Sequence, residues 1–296
     1  MIDTYKKYYP SKILLFGEYT IIDGSNALAI PFEKFVGQWN FNKHKKNNEF
    51  EPFVKYLKNI DWKENNTVFF EDKLRKDLEK GLFFDSNIPV GYGAGSSGSL
   101  SAAIFDKYFE KNNFNIKKIK TILSLLEGFF HGVSSGIDPM VSYFNKGIKL
   151  INKNKFELIS NFNIEFKEYN FYLLDTKIKR ETIKYVNIYN SMIKTKKFTD
   201  KILPKMILLN NKIITAFLLQ DEKTTNLILN EISRLQYKYF GEMIIEPLVK
   251  LWEESLKTKD ISMKLCGAGG GGFYLIMIKK GIKIKDFFEK IDLIKI

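Results

Sequence analysis

Residues 89–97 carry the sequence Pro-Val-Gly-Tyr-Gly-Ala-Gly-Ser-Ser, which follows a short apolar run and precedes a helix-like pattern. Glycine at three alternate positions lets the backbone turn its N–H groups towards one point. The N-terminus of the following helix adds a partial positive charge there. A strand, a glycine-rich loop and a helix in this order predict a phosphate-binding loop between a strand and a helix of an α+β fold. The residues of this predicted loop are Gly91, Gly93, Ala94, Gly95, Ser96 and Ser97.

The loop differs from the common nucleotide-binding signatures. No Gly-Lys-Ser/Thr follows it, so it is not a Walker loop, and it does not fit Gly-x-Gly-x-x-Gly. The alternative interpretation is a flexible connector with a serine at the helix N-cap.

The segments around the loop alternate between strand-like and helix-like patterns. The first third predicts a sheet and the segment 43–66 a polar surface excursion with one amphipathic stretch. We expect an α+β fold with an N-terminal domain over 1–165 and a C-terminal domain over 166–296. The predicted strands are 12–19, 27–30, 35–42, 147–151, 155–159, 169–174 and a pair within 263–278, and the predicted helices are 97–111, 116–130 and several within 179–256.

Two carboxylates follow the loop at a spacing of eleven residues. Glu127 lies near the end of a predicted helix, and Asp138 lies at the start of the next. Carboxylates presented in this way can share a site, one binding a metal ion and one contacting a reacting hydroxyl. The alternative is that Asp138 caps a helix that begins at Pro139. His131 falls on the same helix face as Glu127, where a structural hydrogen bond is favoured over catalysis.

A second glycine-rich segment lies near the end of the chain. Residues 267–272 read Gly-Ala-Gly-Gly-Gly-Gly between two apolar runs, which exceeds what a hairpin turn needs. Such a run indicates close approach by a ligand or by another backbone segment, with a plain turn as the alternative. Lys12 begins the first apolar strand, where its ammonium could reach a site at the strand end.

The charge of the chain identifies no partner. A formal charge of +13 arises from 47 Lys plus Arg against 34 Asp plus Glu, and such an excess attracts polyanions. Only three of these cations are arginine (Arg75, Arg180 and Arg234), whereas nucleic-acid recognition relies heavily on the arginine fork. A basic nucleic-acid-binding protein remains the alternative from another class, and it predicts steeply salt-dependent binding without ATP turnover.

Other features of the composition exclude several classes. The single Cys266 excludes a disulfide framework within the sequence and a thiolate metal cluster, and two histidines are too few for a zinc triad. The first residues lack the apolar segment of a signal peptide, and no run of about 18 apolar residues occurs. We therefore expect a soluble, cytoplasmic protein.

In order along the chain, four segments resemble the motifs of the GHMP small-molecule kinases, which include galactokinases, homoserine kinases, mevalonate kinases and phosphomevalonate kinases. The resemblance extends over the whole chain. It implies the two-domain GHMP kinase fold, with an N-terminal ATP-binding domain like domain 2 of ribosomal protein S5 and a ferredoxin-like C-terminal domain. The four segments are 11–19 with its continuation to 29, 89–99, 127–138 and 265–273.

The resemblance also implies a role for each matching residue. The ATP phosphates would lie on the loop at 91–97, and Mg²⁺ would be held by Ser97 and Glu127. Asp138 would face the substrate hydroxyl and pair with Lys12. Phosphoryl transfer depends mostly on alignment and charge neutralisation, which these groups can supply. Arg180 matches a position near the acceptor, and the residues implied to bind the acceptor are Glu18, His131, Thr182, Gly267, Ala268 and Gly269.

Within the family, the motifs look most like those of short bacterial mevalonate kinases. This likeness implies ATP-dependent phosphorylation of the primary hydroxyl of mevalonate in isoprenoid biosynthesis, with phosphomevalonate kinase as the nearest alternative. The implied partners are small molecules and not nucleic acid or membrane, and a homodimer is left open. Two positions depart from the pattern. Animal-type mevalonate kinases have His at the place of Tyr19, whereas Tyr also occurs there in phosphomevalonate kinases. Gly98 stands where Ala is usual.

Overall fold

The computed structural model describes residues 7–44, 50–111, 114–151, 155–160, 164–283 and 292–296. Helices and strands both contribute, as the predicted α+β class requires. The chain divides into two compact units that alternate along the sequence. The first comprises 1–12, 31–89 and 94–146, and the second comprises 13–30, 90–93 and 147–296. The single domain boundary at residue 165 stays a prediction.

The first unit combines a sheet with helices. Strand β3 (Leu82–Ser86) pairs antiparallel with β2 (Ala27–Phe41), with Trp39 opposite Phe84. Strand β1 (Tyr8–Phe16) is the neighbour of β2 in the same sheet. The division between the units falls within β1 and within β2. The elements that contribute to this unit are β1 (Tyr8–Phe16), β2 (Ala27–Phe41), α1 (Glu51–Lys58), α2 (Glu71–Glu79), β3 (Leu82–Ser86), α3 (Ser96–Tyr108), α4 (Ile116–His131) and α5 (Ile137–Phe144).

The two helices predicted after the glycine loop are confirmed as α3 and α4. The predicted surface excursion at 43–66 is only partly correct, because its amphipathic stretch forms α1 and buries Phe53, Val54 and Leu57. Residues 45–49 of that excursion lie outside the described residues.

Serine side chains of α3 and α5 form hydrogen bonds with the backbone of β1. The Ser99 hydroxyl donates to the carbonyl of Tyr9 at 2.8 Å, and the Ser142 hydroxyl donates to the carbonyl of Pro10 at 2.7 Å. These buried bonds satisfy backbone carbonyls that lie away from solvent. They fix the strand immediately before Lys12 against both helices.

The second unit is built around an antiparallel sheet of four strands, in the order β7 (Ile261–Leu265), β8 (Phe273–Lys279), β6 (Tyr169–Asp175) and β9 (Asp292–Lys295). Trp252 and Tyr274 are fully buried in its core. The first residues of β2 also pair antiparallel with β4 (Gly147–Ile151), and β4 pairs with β5 (Lys155–Ile159), in the sheet that contains β1 and β3. The remaining elements are β4 (Gly147–Ile151), β5 (Lys155–Ile159), β6 (Tyr169–Asp175), α6 (Thr182–Met192), a π-helical turn (Phe198–Ile202), α7 (Leu203–Leu218), α8 (Glu222–Tyr239), α9 (Glu246–Ser255), β7 (Ile261–Leu265), β8 (Phe273–Lys279) and β9 (Asp292–Lys295).

Most predicted strands and helices are confirmed, but the strands predicted separately over 27–30 and 35–42 form the single strand β2, and α2 was not predicted. The strand predicted over 12–19 ends at Phe16, because Gly17 and Tyr19 have φ values of 108° and 61° that leave the extended region. Strand β9 was not predicted from the sequence. No helix in the described ranges is both long and apolar enough to cross a membrane.

Candidate active site

Lys12 and Asp138 form an ion pair in the first unit. Lys12 Nζ lies 2.7 Å from Asp138 Oδ2, and the Lys12 backbone N–H donates to the carbonyl of Ala94 at 2.8 Å. Asp138 is in the first turn of α5, whose N-cap is Gly136 without a side-chain hydrogen bond. The alternative in which Asp138 caps this helix is therefore wrong, and its carboxylate is directed to a lysine instead.

A second cluster in the same unit joins the start of α3 to the end of α4. The Ser97 hydroxyl donates to Glu127 Oε1 at 3.3 Å and lies 3.0 Å from His131 Nε2. The Ser134 hydroxyl donates to the other oxygen of Glu127, Oε2. The sequence predicted that Ser97 and Glu127 would meet, whereas the contribution of Ser134 was missed. His131 is exposed, so its hydrogen bond with Ser97 lies at the surface and not in the core.

The electrostatic state of Glu127 differs from that of an ordinary glutamate. Burial raises the pKa of Glu127 to about 7, and the nearby charge of Asp138 acts in the same direction. Hydrogen bonds from Ser134 and Ser97 and the charge of Lys12 oppose this rise. A buried carboxylate that resists ionisation in isolation is stabilised by an added cation.

The donor set fits Mg²⁺. This ion prefers oxygen ligands and usually takes one or two protein carboxylates together with phosphate oxygens and waters. Ser97 Oγ and Glu127 Oε1 supply two such oxygens. Within the described part of the chain, no group of three or more His, Cys, Asp or Glu side chains is arranged to hold a metal. Phosphate oxygens and water would complete the coordination, as is usual for this ion.

The glycine loop has the backbone conformation expected of an anion cradle. Gly91, Gly93 and Gly95 all have positive φ values, of 85°, 65° and 77°, which residues with a Cβ rarely adopt. Gly95 is the N-cap of α3, so the alternative with a serine N-cap is wrong. Ser96 and Ser97 form the first turn of that helix, where backbone N–H groups are unpaired. Gly91 and Gly93 belong to the second unit, and Ala94 and Gly95 belong to the first.

The second unit places Arg180 against glycines of two motifs. Arg180 Nη1 donates to the carbonyl of Cys266 at 3.1 Å. A Cβ added at Gly267 would lie 2.2 Å from Arg180 Nη1, and one added at Gly93 would lie 1.1 Å from Arg180 Nη2. Both positions therefore need glycine for the guanidinium to keep its place. Thr182, the first residue of α6, is exposed.

Glu18 points into the interior of the second unit. Its carboxylate accepts a hydrogen bond from Lys264 Nζ, which also donates to the carbonyl of Leu15 at 2.9 Å. Burial raises the pKa of Glu18 and the Lys264 charge opposes this rise. The contact with the acceptor implied by the resemblance would require this buried pair to open. Lys264 was missed, although a lysine within the apolar run ISMKL was the available signal.

Tyr19 connects the first of the four motif segments to the fourth, at 265–273. Its hydroxyl donates to the carbonyl of Ala268 at 2.5 Å, and its ring stacks on Tyr189 with centroids 4.7 Å apart. Gly267, Ala268 and Gly269 form the turn that follows β7. Tyr19 thus fixes the backbone of that turn.

Comparisons with known proteins give a consistent result. Residues 65–146 match the family model of the GHMP kinases N terminal domain. A mevalonate kinase of Dictyostelium discoideum is 23% identical over 93% of this chain and 87% of its own length. A galactokinase of Thermosipho africanus is 26% identical, covering 92% of this chain and 88% of its own.

Solved structures show the same fold. The structure of L. major mevalonate kinase in complex with R-mevalonate has a TM-score of 0.62 at 18% identity, with 96% of this chain and 89% of that chain covered. The Streptococcus pneumoniae phosphomevalonate kinase has a TM-score of 0.65 at 15% identity, with 98% and 99% covered. The fold is thus shared by kinases with different acceptors.

Proposed function

We propose that this protein is a member of the GHMP kinase family and that it transfers the γ-phosphoryl group of ATP to the primary hydroxyl of mevalonate. The sequence matches and the shared fold support the family. The observation that carries the proposal is the Lys12–Asp138 ion pair at 2.7 Å. In the same unit, Ser97 and Glu127 bring two oxygen donors together. Phosphoryl transfer to an alcohol is catalysed mainly by positioning and charge neutralisation, which the lysine–carboxylate pair and a metal ion held by Ser97 and Glu127 would supply.

Asp138 and Lys12 would act on the acceptor hydroxyl. The Asp138 carboxylate can orient the hydroxyl and accept its proton as the oxygen attacks phosphorus. The Lys12 ammonium can stabilise negative charge on the attacking oxygen and on the transferred phosphoryl group. Because both side chains are held by ordered backbone, little reorganisation would be needed during the reaction.

The loop at 91–97 and the start of α3 would bind the ATP phosphates. Their positive-φ glycines and the helix N-terminus provide backbone N–H groups for the anion. Ser97 and Glu127 would hold Mg²⁺, and the ion when bound would neutralise phosphate charge. Bound in this way, the nucleotide would also relieve the unfavourable burial of Glu127.

The choice of mevalonate rests on the motifs and on the relatives. Mevalonate kinases recur among the related proteins, and a solved relative of the same fold contains R-mevalonate. Phosphomevalonate kinase is the second candidate, because Tyr19 matches its motif and its fold is equally similar. The acceptor roles of Glu18, His131, Thr182 and the 267–269 turn remain predictions from the resemblance.

An acceptor panel tests this proposal. Purified protein would be incubated with ATP, Mg²⁺ and either mevalonate, phosphomevalonate, galactose or homoserine, and ADP would be measured with a coupled assay. We expect turnover with mevalonate. Turnover with phosphomevalonate alone would show that mevalonate is not the acceptor, whereas the assignment of kinase activity would stand. Absence of ADP with every acceptor, together with salt-sensitive binding of DNA or RNA, would favour the nucleic-acid-binding alternative.

A further inference from the structure

The carboxylate of Glu127 is held at both oxygens by serine hydroxyls from different segments. Ser97 in α3 donates to Oε1 at 3.3 Å, and Ser134, in the loop between α4 and α5, donates to Oε2. Glu127 itself is 4% exposed, so water cannot easily replace either partner. The two bonds together select one orientation of the carboxylate.

Ser134 is fixed by the rest of its loop. Its Oγ accepts a hydrogen bond from the backbone N–H of Gly136 at 2.9 Å, which directs the hydroxyl proton to Glu127. Its carbonyl accepts a hydrogen bond from the hydroxyl of Ser124 in α4. Ser134 is therefore tied to the same helix that carries Glu127.

We propose that Ser134 is a positioning residue for Glu127, holding Oε2 so that Oε1 faces Ser97 and the two oxygens are prearranged for Mg²⁺. The inference rests on the proposed function, which assigns the metal to Ser97 and Glu127. A glutamate has three side-chain torsions, and a hydrogen bond to its second oxygen removes rotamers that would turn Oε1 away. Ser134 would not touch the metal or the substrate.

Metal binding measured without turnover tests this role. Mn²⁺ would serve as the probe, titrated by electron paramagnetic resonance in the presence of a non-hydrolysable ATP analogue. We expect Ser134→Ala to weaken Mn²⁺ binding about tenfold, the lower end of effects at residues that orient metal ligands. Ser134→Thr keeps the hydroxyl and should restore binding. Thr121→Val is the matched control, because its hydroxyl bonds only the Lys117 carbonyl of its own helix in the described structure.

Kinetics provide an independent readout. Ser134→Ala should raise the Mg²⁺ concentration needed for half-maximal turnover by about tenfold, while kcat at saturating Mg²⁺ changes little. A general loss of structure would instead lower kcat at every Mg²⁺ concentration. Should Ser134→Ala fail to fold, Ser134→Cys, with a weaker donor of similar size, decides the same question.

Glu127→Gln separates this inference from the proposed function. If Glu127→Gln weakens Mn²⁺ binding and Ser134→Ala does not, the positioning role is wrong and the metal assignment stands. If neither variant changes Mn²⁺ binding, both are wrong. Weakening in both variants with recovery in Ser134→Thr supports the inference.

Discussion

The Lys12–Asp138 pair of the first unit and the Lys264–Glu18 pair of the second unit join the same kinds of charged group, but they differ in burial. The side chains of Lys12 and Asp138 are 11% and 30% exposed, whereas those of Lys264 and Glu18 are 1% and 3% exposed. The chemical groups are nearly the same in both pairs. The Lys12–Asp138 pair is therefore accessible to a ligand from solvent, whereas the Lys264–Glu18 pair is enclosed in the interior.

The lysines also differ in how their donors are used. Lys264 Nζ donates to Glu18 and to the carbonyls of Leu15 and Leu265, which uses all three ammonium protons. Among the residues that the structure describes, Lys12 Nζ makes its ion pair with Asp138. An ammonium with donors left over can bind a phosphate oxygen, and one with none cannot.

Asp138→Asn is the most severe test of this contrast. Loss of the carboxylate that orients the hydroxyl should reduce kcat about 10³-fold, within the range for general-base residues. Nucleotide binding, measured by calorimetry, should remain within a few-fold of wild type because Asp138 lies on the acceptor side in the proposed function. Wild-type turnover in this variant would remove Asp138 from the mechanism.

Lys264→Met should have its main effect on stability. Breaking a buried ion pair leaves Glu18 uncompensated and should lower the free energy of unfolding by about 3–5 kcal/mol. Lys12→Met should lower it by only about 1 kcal/mol, because Asp138 can be hydrated. Denaturant unfolding of both variants makes the comparison, and the Glu18→Gln/Lys264→Met double variant should recover part of the loss. Equal losses at Lys12 and Lys264 would contradict the distinction between the pairs.

Glu127 extends the comparison to a buried carboxylate with hydroxyl partners. Its pKa is about 7 in the folded protein against 4.5 ordinarily, so the folded state binds more protons than the unfolded state between these values. The free energy of unfolding of the metal-free protein should therefore fall as pH rises through that window. Glu127→Gln should be more stable than wild type at about pH 8, with the difference vanishing near about pH 4.

Denaturant unfolding of metal-free wild type and Glu127→Gln across this pH range provides the measurement. Addition of Mg²⁺ and nucleotide at high pH should stabilise wild type more than the variant. A stability difference that does not depend on pH would show that Glu127 titrates normally.

Tyr19→Phe should produce the smallest change. The variant keeps the ring stacked on Tyr189 and removes the hydroxyl that donates to the Ala268 carbonyl. Loss of one hydrogen bond should lower the free energy of unfolding by about 1 kcal/mol. Tyr8→Phe, at a tyrosine that is 51% exposed, is the control and should change nothing. An equal effect of both substitutions would show that the Tyr19 hydroxyl does not stabilise the turn.

The sequence predicted helices α3 and α4 of the first unit, and the resemblance implied the meeting of Lys12 with Asp138 and of Ser97 with Glu127. Those predictions succeeded because helical periodicity, glycine spacing and the order of the motifs can be read directly from the sequence. Lys264 and Glu18 are separated by 246 positions, and no spacing rule joins them. Ser134 was missed for a related reason, since the sequence does not reveal which of the adjacent residues Ser134 and Ser135 directs its hydroxyl to Glu127 in α4.

Gly98 has a consequence for how the sequence can change. A Cβ at this position of α3 would lie 2.9 Å from the Asp138 carbonyl carbon and from the Pro139 nitrogen, closer than packed atoms tolerate. An alanine at this position could enter only if α5 shifted, and Asp138 would shift with it. The residue at position 98 and the path of α5 are thus coupled, and Gly98→Ala, which elsewhere in a helix would favour the folded state, should destabilise this one.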